Sequence, residues 1–376
     1  MGPQSPDACL KRIEEQMSYA RLRTDQAHWR EKGVYRGIGL CTFVEMTGVG
    51  SRLYGPAGIR IAGKESVRLS LTPSGRITCR TSATDQGQGV RTGIAQVIAS
   101  TLGVALDEVL VTSGDTATDP LGGGAWASRG IALAGEAAGL AAAELRANVL
   151  AIAASLIGVD VSGLGIAGDS IIDDAGQPVR SLRQVATAAH YDSSAIALHP
   201  LPPLTVERSF APADKPYFMA NGVQAAQVEV DIDTGVIRVL DFWVVEDCGR
   251  VINPLLADEQ VRGGVVQGIG AALYEHCVYD DTGQLTNASL GDYLVPMASE
   301  MPDIHVSHVS TPERATLLGA KGIGEAGTVG AVGAIWCAVN DALRPTGQRV
   351  WQQPFTPSHV LEVLYPEDTA PGPADR

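Results

Sequence analysis

Gly319-Ala-Lys-Gly-Ile-Gly-Glu-Ala-Gly-Thr-Val-Gly330 is a glycine-rich run that leads into an apolar segment, Ala331 to Leu343, and carries one carboxylate, Glu325. Glycine admits positive φ and lets the main chain approach a bulky ligand closely. A carboxylate surrounded by little but backbone is expected to be poorly solvated, which raises its pKa toward the range useful for base chemistry. Glu325 is therefore the first candidate catalytic residue, on a loop expected to open into a helix over 331–343.

Two more loops share this plan. Gln86-Gly-Gln-Gly89 precedes a helix marked by Ile94, Val97, Ile98 and Leu102, and Gly122-Gly-Gly-Ala-Trp-Ala-Ser-Arg-Gly130 precedes an alanine-rich helix expected from about Arg129 to Leu156. Helix N-termini present free N–H groups and partial positive charge, so each loop can hold an anion. Any one of them also reads as a plain strand-to-helix turn. Three together point to a large anionic ligand enclosed between them.

The spacing Gly322-x-Gly324-x-x-Gly327 matches the dinucleotide fingerprint. Glu325 would then stand where the pyrophosphate must approach, and no acid lies at the distance of a ribose ligand, so that reading is disfavoured. Gln88 and Gln267 offer amides that donate and accept together, suiting oxo groups or a pterin edge; the plainer alternative for both is a solvated side chain. Gln267 lies in a glycine-rich helical run, Gly263 to Gly270, which implies that something large packs against it.

Elsewhere, alternation predicts a strand at about Tyr35 to Val44 and hairpins around Pro73-Ser-Gly75 and Asp233-Thr-Gly235, with a further strand from Ile304 to Val309. A helix is expected from Asn253-Pro254 to about Tyr274. Strands and helices do not alternate strictly, so the expected class is α+β, with mixed sheets and packed helices. Residues 1–32 read as a helical lead-in, with a helix over Pro6 to Met17. Residues 33–365 read as the main domain, in two lobes with an irregular insert at about 158–203, and 366–376 as a loose tail.

A formal net charge of −14 over 376 residues leaves no basic surplus for a nucleic acid or an anionic membrane. No stretch reads as membrane-spanning and the start has no signal-peptide pattern, so a cytoplasmic location is expected. The six cysteines contain no Cys-x-x-Cys pair, which excludes a locally built zinc knuckle or iron-sulfur cluster. His305 and His308 lie at odd spacing on the expected strand, pointing to opposite faces; they read as surface histidines, not a metal pair.

Taken in order, Gln86-Gly-Gln-Gly89, Gly122 to Gly130, Ile252-Asn-Pro254, Gly264-Val-Val-Gln-Gly-Ile-Gly270 and Gly319 to Gly330 resemble the xanthine dehydrogenase and aldehyde oxidase family of molybdenum hydroxylases. The resemblance runs from about Gly33 to Leu343 and implies the C-terminal half of the molybdopterin-binding subunit. It places Gly87, Gln88 and Gly89 against the pterin, and Ala127, Ser128, Arg129 and Gly130 beside the metal and pyrophosphate. Gln267 becomes a cofactor contact, Lys321, Gly322, Ile323 and Gly324 line the pocket, and Glu325 is the base.

It also implies a molybdenum-molybdopterin cofactor, in the cytosine dinucleotide form, with the metal held through the pterin dithiolene rather than by this chain. Expected partners are a subunit carrying the first molybdopterin-binding domain, an iron-sulfur subunit with [2Fe-2S] centres, a flavin subunit with FAD, and a small-molecule substrate. The implied reaction oxidises an aldehyde or an N-heteroaromatic carbon with water-derived oxygen. The alternative is a non-catalytic cofactor-binding or assembly subunit, or an inactive paralogue, that needs a partner half. Two departures from the family pattern are Ala326, where many relatives have Pro, and Ala125, where Thr is frequent.

Overall fold

Phe218–Val230 is buried along nearly its whole length and Ile237–Asp247 from Phe242 onward, and their odd and even residues face two different cores. Such a strand must lie between two layers. The computed structural model describes residues 4–54, 60–192, 194, 196–198, 200–213 and 216–366. In chain order the elements are α1 (Pro6–Gln16), α2 (Tyr19–Glu31), β1 (Tyr35–Thr47) and the short α3 (Ser51–Tyr54). Next come β2 (Glu65–Leu71), β3 (Ile77–Thr81), α4 (Val90–Leu102), β4 (Val109–Thr112) and α5 (Glu136–Ile157), the last preceded by a π-helical turn over Gly130–Gly135. Then follow β5 (Leu164–Ala167), β6 (Ser170–Asp173), β7 (Pro178–Ser181), α6 (Leu182–Tyr191) and β8 (Thr205–Phe210). The remainder is β9 (Phe218–Val230), β10 (Ile237–Asp247), α7 (Pro254–Leu273), β11 (Asp303–His308), α8 (Ala326–Leu343) and α9 (Pro357–Leu364).

The first sheet has the order β1-β9-β10-β11, antiparallel except for the parallel β10–β11 pair. Ala226, Val228, Phe242 and Val244 face α7 and α8, while Val223, Ala225, Trp243 and Val245 face Cys9 and Ile13 of α1 and Met17 just after it. The hairpin between β9 and β10 turns on Asp231, whose Oδ1 accepts from the N–H groups of Asp233 and Thr234. A second sheet, β4-β3-β2-β8, packs against α4, α5 and α6. A third, β5-β6-β7, occupies the stretch expected to be irregular. Its strands are four residues each, too short for alternation to show in the sequence.

The glycines of α7 answer the question their sequence raised. A Cβ on Gly264 would lie 2.9 Å from Gly327 Cα, and one on Gly268 would lie 2.4 Å from Ala331 Cβ, so the large object against this helix is α8 itself. On the other side of α8, a Cβ on Gly37 of β1 would fall 1.9 Å from the Ala338 carbonyl oxygen. Close backbone approach on both flanks holds α8 in place and fixes the loop that precedes it.

Three expectations need correction. Helix α8 begins at Ala326, directly after Glu325, and not at Ala331. The second helix, α2, was missed because its sequence is polar; Arg23 and the buried Gln26 anchor it to Asp341 of α8, with Arg23 Nη1 at 2.6 Å and Gln26 Nε2 at 2.7 Å. Two helical stretches, Gly130–Ile157 and Ala326–Thr346, are in fact long and apolar enough to cross a membrane by length and composition. Their alanine and glycine content hides this from inspection, and both supply residues to the cores. The tail beyond Pro366 lies outside the described residues.

Candidate active site

The three glycine loops converge. Gln86, Gln88 and Gly89 from the first, Ala125 to Gly130 from the second, and Lys321, Ile323, Gly324 and Glu325 from the third line one cleft of about 410 Å³. Its remaining wall comes from Val90 and Gly93 of α4, Ile131, Cys248 and Arg250 to Asn253 after β10, and Leu256, Ala257 and Gln260 on α7. The size is that of a small-molecule or cofactor site.

Each loop is built from its own hydrogen bonds. In the first, Asp85 accepts from the N–H groups of Gly87 at 2.9 Å and Arg91 at 3.2 Å, and Gly87 sits at φ +101°. Burial alone would raise the Asp85 pKa, but those N–H groups and Arg91 outweigh it and hold the carboxylate below its ordinary range. The Gln88 amide folds back onto the loop, donating to the Thr84 carbonyl at 3.2 Å.

The second loop is pinned from beneath. Arg129 and Glu65 are both fully buried and lie 3.0 Å apart, and Glu65 Oε1 also accepts from the Gly123 N–H at 3.0 Å. Burial lowers the Arg129 pKa and Glu65 opposes that shift. Arg129 Nη1 donates to the Ala62 carbonyl at 3.1 Å, and the guanidinium lies 5.1 Å from the centre of the Trp126 ring. Its Nε is buried without a hydrogen-bond partner among the described residues. Ala127 and Ser128 both take positive φ, +48° and +49°. Non-glycine residues adopt that conformation at a cost of about 1–2 kcal/mol each.

That strained turn meets the third loop. Ser128 Oγ donates to Glu325 Oε2 at 2.7 Å and accepts from the Glu325 N–H at 3.1 Å, so one hydroxyl fixes both the backbone and the side chain of the candidate base. Gly322 passes beneath it, where a Cβ would fall 2.0 Å from the Ser128 carbonyl oxygen, and its N–H donates to Thr47 Oγ1 at 3.0 Å. Lys321 is buried, with Nζ 3.4 Å from Asp247. Gln260 of α7 donates to the Gly324 carbonyl at 2.7 Å.

Of the residues singled out from sequence, Gln88, Gly89, Ala127, Ser128, Arg129, Gly130, Lys321, Ile323, Gly324 and Glu325 line the cleft. Gly87 and Gly322 belong to its loops without lining it. Gln267 stands apart: it is exposed two helical turns beyond Gln260, 3.3 Å from Thr328 Oγ1, and does not line the cleft. Gln260 is the α7 glutamine that faces it, and sequence reading missed it because the glycine-rich stretch drew attention to Gln267.

Two further expectations change. Glu325 is exposed on this chain, so backbone surroundings alone do not strip its water. His308 is not a surface histidine: the parallel pairing of β11 with β10 sets it opposite Glu246, which meets its Nδ1, while Asp258 lies 2.7 Å from Nε2. Burial opposes charging of the ring, but the two carboxylates prevail and raise its pKa to about 9. His305 does lie on the outside, stacked 5.8 Å from Trp243.

Comparison with known proteins gives the same direction. Residues 12–302 match the family described as molybdopterin cofactor-binding domain. The chain belongs to this family of the molybdenum hydroxylases. It is 33% identical over 364 residues to the nicotine 6-hydroxylase large subunit of Paenarthrobacter nicotinovorans, covering 96% of this chain and 44% of that protein. Against the carbon monoxide dehydrogenase large chain of Hydrogenophaga pseudoflava the identity is 31%, over 94% of this chain and 44% of the relative. The crystal structure of quinoline 2-oxidoreductase from Pseudomonas putida 86 superposes with a TM-score of 0.87 at 34% identity, covering 96% of this chain and 46% of that one. The α+β expectation and the family reading made from the five motifs both hold. The chain spans less than half the length of these relatives.

Proposed function

We propose that this chain supplies the base-bearing half of a molybdenum hydroxylase site, which oxidises an aldehyde or N-heteroaromatic carbon with oxygen from water. The observation that carries the reading is the meeting of three helix-opening loops on one cleft, with Glu325 held at its rim by Ser128. Relatives named for nicotine and quinoline favour an N-heteroaromatic substrate.

The residues present suit a molybdopterin. The unpartnered Arg129 Nε is a buried donor beside the cleft, and the glycines at 322 and 324 leave room where a side chain would meet Ser128. When bound, the cofactor supplies the redox chemistry at its metal, and the chain supplies binding, orientation and a base. Gly87, Gln88 and Gly89 would present backbone groups to the pterin, the Gln88 amide being engaged with the Thr84 carbonyl. Ala127 to Gly130 would hold the phosphate side, with Lys321, Ile323 and Gly324 forming the facing wall. Gln260 steadies the Gly324 carbonyl, while Gln267 stands outside the cleft beside Thr328. Glu325 takes the proton from the attacking water, its Oε2 oriented by Ser128.

Because Glu325 is exposed here, its enclosure must come from elsewhere. Leu121 and Leu255, next in the chain to the second loop and to the cleft-lining Leu256, are 75% and 70% exposed. They suit a covering partner, a subunit carrying the first molybdopterin-binding domain. The reading further takes the cytosine dinucleotide form of the cofactor, iron-sulfur and flavin subunits as the electron outlet, and a cytoplasmic location. Co-expression with the neighbouring gene product tests it: near-stoichiometric molybdenum and released pterin are expected in the complex and none on the chain alone. Absence of molybdenum from both preparations would contradict the reading, and metal and pterin without turnover would favour an assembly or inactive subunit.

A further inference from the structure

Strand β10 ends at Asp247, and alternation along it turns Glu246 and Cys248 to the same side, away from Asp247. The parallel register with β11 sets His308 beside Glu246. The carboxylate, the thiol and the imidazole thereby bring one ligand atom each within 4.8 Å of one another. Glu246 is fully buried, Cys248 is 4% exposed and the His308 side chain is 18% exposed.

Two independent details show that more than a charge pair is built here. Glu246 Oε2 is buried with no hydrogen-bond partner among the described residues, an arrangement that costs the full desolvation of that atom. Asp258 Oδ1 lies 2.7 Å from His308 Nε2, so that nitrogen donates outward, while Nδ1 faces the cluster and meets Glu246 Oε1, a contact that an ion between them would replace. A carboxylate behind a histidine in this way is the usual outer partner of a metal-bound imidazole. The Cys248 thiol faces the same carboxylate, so all three ligand groups are turned toward one point.

We infer that Glu246, Cys248 and His308 form a binding site for one divalent ion of the zinc type, oriented by Asp258. A sulfur, nitrogen and oxygen set of this kind suits tetrahedral Zn²⁺ with a fourth position left for water or a further ligand. Cys248 also lines the cofactor cleft, so the ion would stand behind that wall, on residues none of which is assigned to the hydroxylation chemistry.

Cobalt(II) is the probe, titrated into the full-length chain purified without cofactor, with the exposed Cys277 replaced by Ser to remove a surface thiol. One cobalt per chain is expected, with a thiolate-to-cobalt absorption band that Zn²⁺ abolishes. Cys248→Ser should remove the band, and Asp258→Asn, which leaves all three ligand atoms in place, should weaken binding about 10–100-fold. Circular dichroism and melting curves establish that each variant is folded. The inference is overturned if the folded parent takes up no cobalt, if the thiolate band survives Cys248→Ser, or if Asp258→Asn binds as tightly as the parent.

Discussion

Gly87 and Gly264 both belong to glycine-rich runs, yet they are glycine for opposite reasons. A Cβ on Gly87 would meet nothing within 4 Å, and the residue is needed for its φ of +101°. Gly264 sits in an ordinary helix, where a Cβ would press on the backbone of α8 at 2.9 Å. One set of glycines shapes a cleft and the other lets two helices touch. The helix seam serves the cleft indirectly, because it fixes the start of α8 and with it Glu325.

Variants on the two sides should separate these roles. The largest effect is expected from Glu65→Ala, which leaves Arg129 buried without its counter-charge beneath the second loop; about 3–5 kcal/mol of stability should be lost in denaturant unfolding. Gly327→Val comes next. Its Cβ would fall 2.2 Å from the Val261 carbonyl oxygen and 2.9 Å from Gly264 Cα, both backbone atoms that cannot swing away. About 1–3 kcal/mol should go, visible as a lower Tm. A Gly327→Val protein as stable as the parent would break the seam half of the comparison.

Glu45 gives a pH-dependent test. Burial first, then Glu325 and Glu246, push its pKa from an ordinary 4.5 to about 8, and its Oε1 has no hydrogen-bond partner among the described residues. Between those values the folded chain keeps a proton that the unfolded chain releases. The stability tied to this group is therefore present at low pH and is lost as pH rises through the window. Glu45→Gln should match the parent near pH 5 and exceed it by about 1 kcal/mol or more at pH 8. An unchanged gap across that range would show that Glu45 is not held neutral. Smallest is Gly87→Ala, where strain at positive φ should cost about 1 kcal/mol. That variant should lose cofactor occupancy without a comparable loss of Tm.

What the sequence revealed follows the reach of each signal. The hairpins were legible because alternation and the Asp-Thr-Gly turn are local, and the three loops because glycine clusters end at apolar helices. The partner of the glycine-rich α7 was not legible, since its contact is α8, some sixty positions away. Helix α2 is anchored by polar contacts to Asp341, so it shows no apolar stripe. The burial of His308 depends on a parallel strand pairing that no local pattern encodes. Glu325 was singled out from sequence as a candidate base, but its exposure was not foreseen, because solvation depends on what the rest of the fold covers.

The central claim is that Glu325 is the base of a cofactor site whose binding parts lie elsewhere on the three loops. Glu325→Gln in the assembled complex tests it most directly, with molybdenum, released pterin and turnover measured on the same preparation. Glutamine can still accept the Ser128 hydrogen bond, so metal and pterin contents should equal those of the parent. Turnover should fall by about 10²–10⁴-fold, the usual contribution of a positioned base. Near-normal turnover with full cofactor content would contradict the account.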